Sequence, residues 1–158
     1  MAGIDSKSKR PSDLSSNSKP PETLTFFLDR ALGKRRIADG LRALGLAVEV
    51  HEDHYPSDAT DVEWLSDIGK KGWVVLTKDS QIRYRAPERQ ALLNAGVAAF
   101  VLTSGNLTGD EMKQVFITAM PRIMKLLNRQ QRPFIAKVTR SGIVTLLIAP
   151  RQRRGTRR

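Results

Sequence analysis

Four carboxylates stand where an apolar run ends or a helix begins. Asp29 follows TFFL, Asp61 and Glu63 lie inside TDVEWL, and Asp79 follows WVVLTK. An acid at the mouth of a buried strand loses hydration and stays charged only beside a cation. Two carboxylates ~4 Å apart repel by ~4 kcal/mol at an effective dielectric of about 20, so several gathered at one rim call for a hard cation between them. Oxygen ligands suit Mg2+ or Mn2+, which keep several waters and bridge to phosphate. Such an ion polarises a phosphodiester and generates the attacking hydroxide. The chemistry open to this pattern is therefore phosphodiester hydrolysis. Asp29, Asp61 and Asp79 are its expected catalytic and metal-holding acids, with Glu63 as a further ligand.

Cations surround these acids in the chain. Arg30, Lys34, Arg35 and Arg36 follow Asp29, while Lys78, Arg83, Arg85 and Arg89 flank and follow Asp79. Around a metal, Arg30, Lys34, Lys78, Arg83, Arg85 and Arg89 would bind nucleic-acid phosphates. Thr103, Ser104 and Asn106, after the run VAAFVL, bring neutral oxygens that can position water. Each acid also has a structural reading. Asp29 suits a helix N-cap, and Asp79 suits a turn acid paired with Lys78 or Arg83. Asp61 suits a first-turn acid on the helix dipole, and Glu63 completes a capping box with Thr60. Asp58 competes with Asp61. His51 and His54 read as a solvated loop pair, and Trp64 and Trp73 as core aromatics.

The elements that must position these groups follow from periodicity. Residues 24–28, 46–50, 73–77 and 97–102 read as strands. Between them, residues 31–44 show apolar spacing at Leu32, Ile37, Leu41 and Leu44, which predicts a helix stopped by Gly45. Thr60 to Glu63 predicts a helix over 61–70, and Thr108 to Glu111 predicts one to about residue 128, kinked near Pro121. A further helix covers 86–96, and residues 134–139 and 143–148 form a strand pair around Arg-Ser-Gly. Strands alternating with helices, and apolar on both faces, predict a three-layer α/β/α sandwich with a mainly parallel sheet. In such a sheet the carboxyl ends of the strands share one edge, where ligands bind at the switch point. Asp29 and Asp79 fall on that edge.

The 158 residues suit one domain over 24–150, with a disordered Ser-, Lys- and Pro-rich basic tail at 1–23 and an arginine-rich tail at 151–158. Cysteine is absent, which removes disulfides and thiolate metal sites. No secretory signal and no bilayer-spanning run is expected, which points to a cytoplasmic protein without a membrane partner. The net charge is +11, of which residues 1–23 carry +1 and the last eight residues carry +5, leaving +5 on the body. Basic body and basic tail favour a polyanionic partner, nucleic acid above all.

The strand ending TFFLD, the helix entered through DVEWL and the strand ending VLTKD resemble PIN-like domains, in particular the compact VapC-type toxins of toxin–antitoxin pairs. The resemblance covers about residues 24–128. It implies a PIN fold and a Mg2+- or Mn2+-dependent single-strand ribonuclease. It places the family's first acid at Asp29, its helix acid at Asp61 with Glu63 as rival, and its strand-three acid at Asp79. Where the family's fourth acid often stands, this chain has Gln81 and Ser104 or Asn106. The resemblance also implies an antitoxin protein whose arginine enters the acidic pocket, and a homodimer. Two other readings fit the same acids. One is a receiver-like phosphoacceptor domain using Asp29, Asp79, Thr103 and Lys137, although Asp29 is followed by Arg30 where receivers pair two acids. The other is a non-catalytic RNA-binding module.

Overall fold

Runs rich in valine, phenylalanine and alanine become strands here because both of their faces are covered. In a computed structural model, which describes residues 24–33, 35–78 and 86–149 apart from the side chains of Asp61 and Glu88, six strands form one sheet. They are β1 (Thr25–Leu28), β2 (Ala47–Val50), β3 (Val74–Thr77), β4 (Ala98–Leu102), β5 (Phe134–Val138) and β6 (Val144–Ile148). Their order is β2-β1-β3-β4-β5-β6. The first five are mutually parallel, and β6 returns antiparallel beside β5. Every residue of β3 and β4 is buried.

Alternation along each strand splits the core in two. Phe26, Leu28, Val74, Leu76 and Phe100 point to a cluster closed by Ile37 and Leu41 of α1 (Arg36–Arg42) and by Phe116 and Ile123 of α4 (Gly109–Arg129). Phe27, Val75, Ala99 and Val101 point the other way, onto Trp64, Leu65 and Ile68 of α2 (Asp61–Lys71) and Leu92 of α3 (Ala86–Ala95). The three layers match the expected α/β/α sandwich.

The chain leaves β1 through α1 on one face to reach β2. It then crosses back over β1 through α2 on the other face to reach β3. The direction of winding therefore reverses between β1 and β3, and their carboxyl ends form the switch point. Thr60 and Thr108 both close full capping boxes, as their sequences predict. The helix expected over 31–44 is shorter. A 3-10 turn at Arg30–Leu32 ends at Gly33, whose φ of +83° lies in the region open to glycine, and α1 starts only at Arg36. α4 runs unbroken through Pro121. Among the described residues, no helix is long and apolar enough to cross a membrane.

Candidate active site

Asp29 leaves the sheet at the switch point. Its backbone N–H donates to Leu76 O at 3.0 Å, extending the β1–β3 ladder by one step. Leu28 is paired with Leu76, so the next residues in the two strands, Asp29 and Thr77, stand side by side. There the Thr77 hydroxyl donates to Asp29 Oδ2 at 2.7 Å. Thr77 is only 2% exposed, and its β-branched side chain is held in the sheet. One carboxylate oxygen is thereby fixed while the other keeps its acceptor sites. Asp29 occupies the N-cap position of the 3-10 turn but makes no side-chain cap bond, so the capping role considered for it is not the one it fills.

The N-terminus of α2 reaches the same edge because α2 runs from the carboxyl end of β2 back to the start of β3. Its height is set by rings. Trp64 packs on Phe27 with centroids 5.3 Å apart, and its edge meets His51 at 5.5 Å and 90°. Asp61 precedes Trp64 by three residues, about 4.5 Å along a helix. Asp29 follows Phe27 by two residues, about 6.6 Å along a strand. The packed rings thus set the first turn of α2 at the edge where β1 ends. The two loops are also tied directly, since Arg30 Nη1 donates to Ser57 O at 3.2 Å.

Glu63 is committed elsewhere. Its Oε1 accepts from the Thr60 N–H at 3.2 Å, while Thr60 Oγ1 accepts from the Glu63 N–H at 3.2 Å. The structural reading of Glu63 is therefore the one observed, which leaves Asp61 as the helix acid outside the cap's reciprocal pair. Asp58 is exposed in the loop before α2.

Thr103, Ser104 and Asn106 follow β4 at the carboxyl edge, as expected. Thr103 is turned to β5, with its N–H donating to Val138 O at 3.1 Å and its hydroxyl at 3.4 Å to the same oxygen. Lys78 is half-buried just past β3, and Arg89 lies in the first turn of α3. Asp79, Arg83, Arg85 and Lys34, together with Gln81, lie outside the described residues, as do both tails. Among the described residues, no three His, Asp or Glu side chains gather as a metal site.

Sequence reasoning missed two features. The first is Thr77, whose only signal is a hydroxyl closing an otherwise apolar strand. The second is the burial of His51, expected to be solvated but in fact 2% exposed in the 3-10 turn His51–Asp53. It sits among Phe27, Tyr55 and Trp64, because the loop folds back over β1. His54 bonds Glu49 at 2.7 Å and abuts Trp73 at 5.4 Å. The Tyr55 hydroxyl donates to Asp67 of α2, which clamps the loop to the helix. Burial first, then the Asp67 carboxylate, raises the Tyr55 pKa well above the ordinary phenol value. The Tyr55 hydrogen bond, then Lys71, lowers that of Asp67.

The order β2-β1-β3-β4-β5 is shared with receiver-like sheets, so strand order alone does not choose between the readings. Comparison with known proteins does. The family described as PIN like domain matches residues 24–104. A Mycobacterium tuberculosis protein, provisionally named as ribonuclease VapC45, is 28% identical over 126 residues, covering 77% of this chain and 91% of its own. No solved structure matches the chain.

Proposed function

We propose that this chain, which belongs to the PIN-like domain family, is a metal-dependent ribonuclease that cuts single-stranded RNA, and is the toxin of a toxin–antitoxin pair. The observation that carries the reading is the Asp29 carboxylate, fixed by Thr77 at the switch point of the sheet. The similarity to a protein named as a VapC ribonuclease supports it.

Asp29, Asp61 and Asp79 would hold Mg2+ or Mn2+, since an all-oxygen set suits a hard cation. When bound, the ion would supply Lewis acidity at a phosphate oxygen and would make a coordinated water more acidic than bulk water. The chain supplies the rest. Thr77 holds Asp29 in one rotamer, so the acid offers its second oxygen without reorganising. Arg30, Lys34, Lys78, Arg83, Arg85 and Arg89 neutralise the phosphates flanking the cut. Ser104 and Asn106 stand where the family often has a fourth acid, and they hold water rather than a second ion. An antitoxin would silence the site by placing a cation of its own among the acids.

Incubation with single-stranded RNA and Mn2+ or Mg2+ gives cleavage that EDTA stops and that Asp29→Asn or Asp79→Asn abolishes. RNA affinity without any cleavage under these conditions would replace the enzyme with a binding module.

A further inference from the structure

All 16 acids of the chain lie within residues 1–111. Twelve of the 27 cations lie beyond them, so residues 112–158 carry +12 without one carboxylate side chain, and the first 111 residues carry −1. The charge divides close to where the family match ends, at residue 104.

The structure arranges part of this basic third into a track. On α4, Thr118, Arg122, Lys125 and Arg129 share one side of the helix, and their spacings of four, three and four residues put them on one stripe. Among the described residues, the ion pairs of α4 are confined to its first turns, where Asp110 meets Arg36 at 3.3 Å and Lys113 at 3.8 Å. Arg122, Lys125 and Arg129 form no ion pair with any described residue. The turn between β5 and β6 closes on the same helix, because a Cβ at Gly142 would stand 2.8 Å from Thr118 Cγ2. Arg140, exposed in that turn, borders a hollow with Asp110, Glu111 and Gln114 in the first turns of α4, and so stands at the end of the helix where the stripe begins. β5 runs parallel to β4, so its end and Arg140 lie at the carboxyl edge, while α4 leads from that edge toward the other. The stripe from Thr118 to Arg129 is about 16 Å long.

We infer that this stripe, Arg140, Arg122, Lys125 and Arg129, is an anchoring track for the sugar–phosphate backbone of the RNA strand whose cutting is proposed above. It lies outside the catalytic rim and rests on that reading only for the identity of the strand. The track presents guanidinium and ammonium groups at helical spacing and no aromatic ring, so it grips phosphates without stacking on bases or reading sequence. Specificity is then left to the rim, and the track lengthens the time a long RNA stays on the protein.

The test separates binding from chemistry. Full-length Asp29→Asn protein is titrated with a long unstructured RNA in EDTA across a salt series, alone and combined with Arg122→Gln, Lys125→Gln and Arg129→Gln. Each phosphate neutralised on a single strand contributes ~0.7 to the salt slope, so removing three cations lowers the slope by about 2 and weakens binding about tenfold or more at low salt. The charge-keeping set Arg122→Lys, Lys125→Arg and Arg129→Lys retains both slope and affinity. An unchanged slope and affinity in the glutamine set overturns the proposal, including when that set has lost binding to polyglutamate, which would assign the stripe to an acidic protein. With Asp29 intact, the glutamine set raises KM for long RNA and leaves kcat unchanged. If the wild-type protein cleaves nothing while the glutamine set still loses RNA affinity, the catalytic reading fails and the track stands.

Discussion

Thr77 is the residue on which the geometry of the site turns, and it is easily overlooked. Its hydroxyl is buried with Asp29 as a partner, so its loss leaves a carboxylate free to rotate where the site needs it fixed. Thr77→Val keeps the branched shape and removes the hydrogen bond. Outer-shell partners of metal ligands typically contribute 10–100-fold to metal affinity or activity, so Thr77→Val lowers Mn2+ affinity and RNA cleavage by roughly that factor, and Thr77→Ser restores most of it. A manganese titration beside a cleavage assay reads both. The same logic separates the two helix acids. Glutamine completes a capping box as glutamate does, so Glu63→Gln leaves cleavage and stability nearly unchanged, whereas Asp61→Asn removes cleavage. Full activity in Asp61→Asn would move the helix acid elsewhere.

At the scale of elements, α2 is held from both sides. Against α3 it approaches through Gly69, where a Cβ would fall 1.9 Å from the Ala95 carbonyl oxygen. Glycine inside a helix ordinarily costs about 1 kcal/mol relative to alanine. Here the sign reverses: Gly69→Ala forces the helices apart and destabilises by about 1–3 kcal/mol, seen as a lower midpoint in urea unfolding. Against the β2–α2 loop, α2 is clamped by Tyr55 and Asp67. The folded state holds the Tyr55 proton more tightly than the unfolded chain, so this stability is whole below pH ~10 and is lost as pH rises past it. The folded state lowers the Asp67 pKa, so that contribution is present above pH ~3.9 and is lost as pH falls below it. Tyr55→Phe therefore removes the Tyr55 part of the alkaline loss and reduces the Asp67 part of the acid loss, read from urea midpoints across pH, while the Lys71 contribution to Asp67 remains. These elements also show how much the sequence could tell. The position of Asp29 is legible because an acid after an apolar strand in an α/β pattern has one edge to occupy. The caps at Thr60 and Thr108 are legible because a capping box is local. The break at Gly33 is masked because Ile37, Leu41 and Leu44 keep helical spacing and Leu32 stands close enough to be read into the same face. The burial of His51 depends on Phe27 and Trp64, rings from two other elements, and no local pattern carries that.

Taken whole, the molecule is two charge regimes on one sheet. The part that bears the candidate acids is close to neutral, and beyond Glu111 every charged side chain is basic. On the proposed reading, the cations that neighbour the acids in sequence neutralise the phosphates beside the cut, and the basic surplus farther along the chain adds a longer-range pull on the strand. Beyond Glu111, four of the twelve cations lie on α4 and five lie in the last eight residues. Long-range attraction acts over about a Debye length, ~10 Å at 0.1 M salt, so the charge of α4 would steer an RNA strand before contact. The arginines of residues 151–158 add +5 to this field. A chain ended after Pro150 should then keep kcat on saturating RNA while its association rate falls and its salt slope drops by up to about 3.5, at ~0.7 for each phosphate no longer neutralised. Stopped-flow binding at several salt concentrations, beside steady-state cleavage, measures both quantities. A fall in kcat with association unchanged would place those arginines in the chemistry instead of the approach.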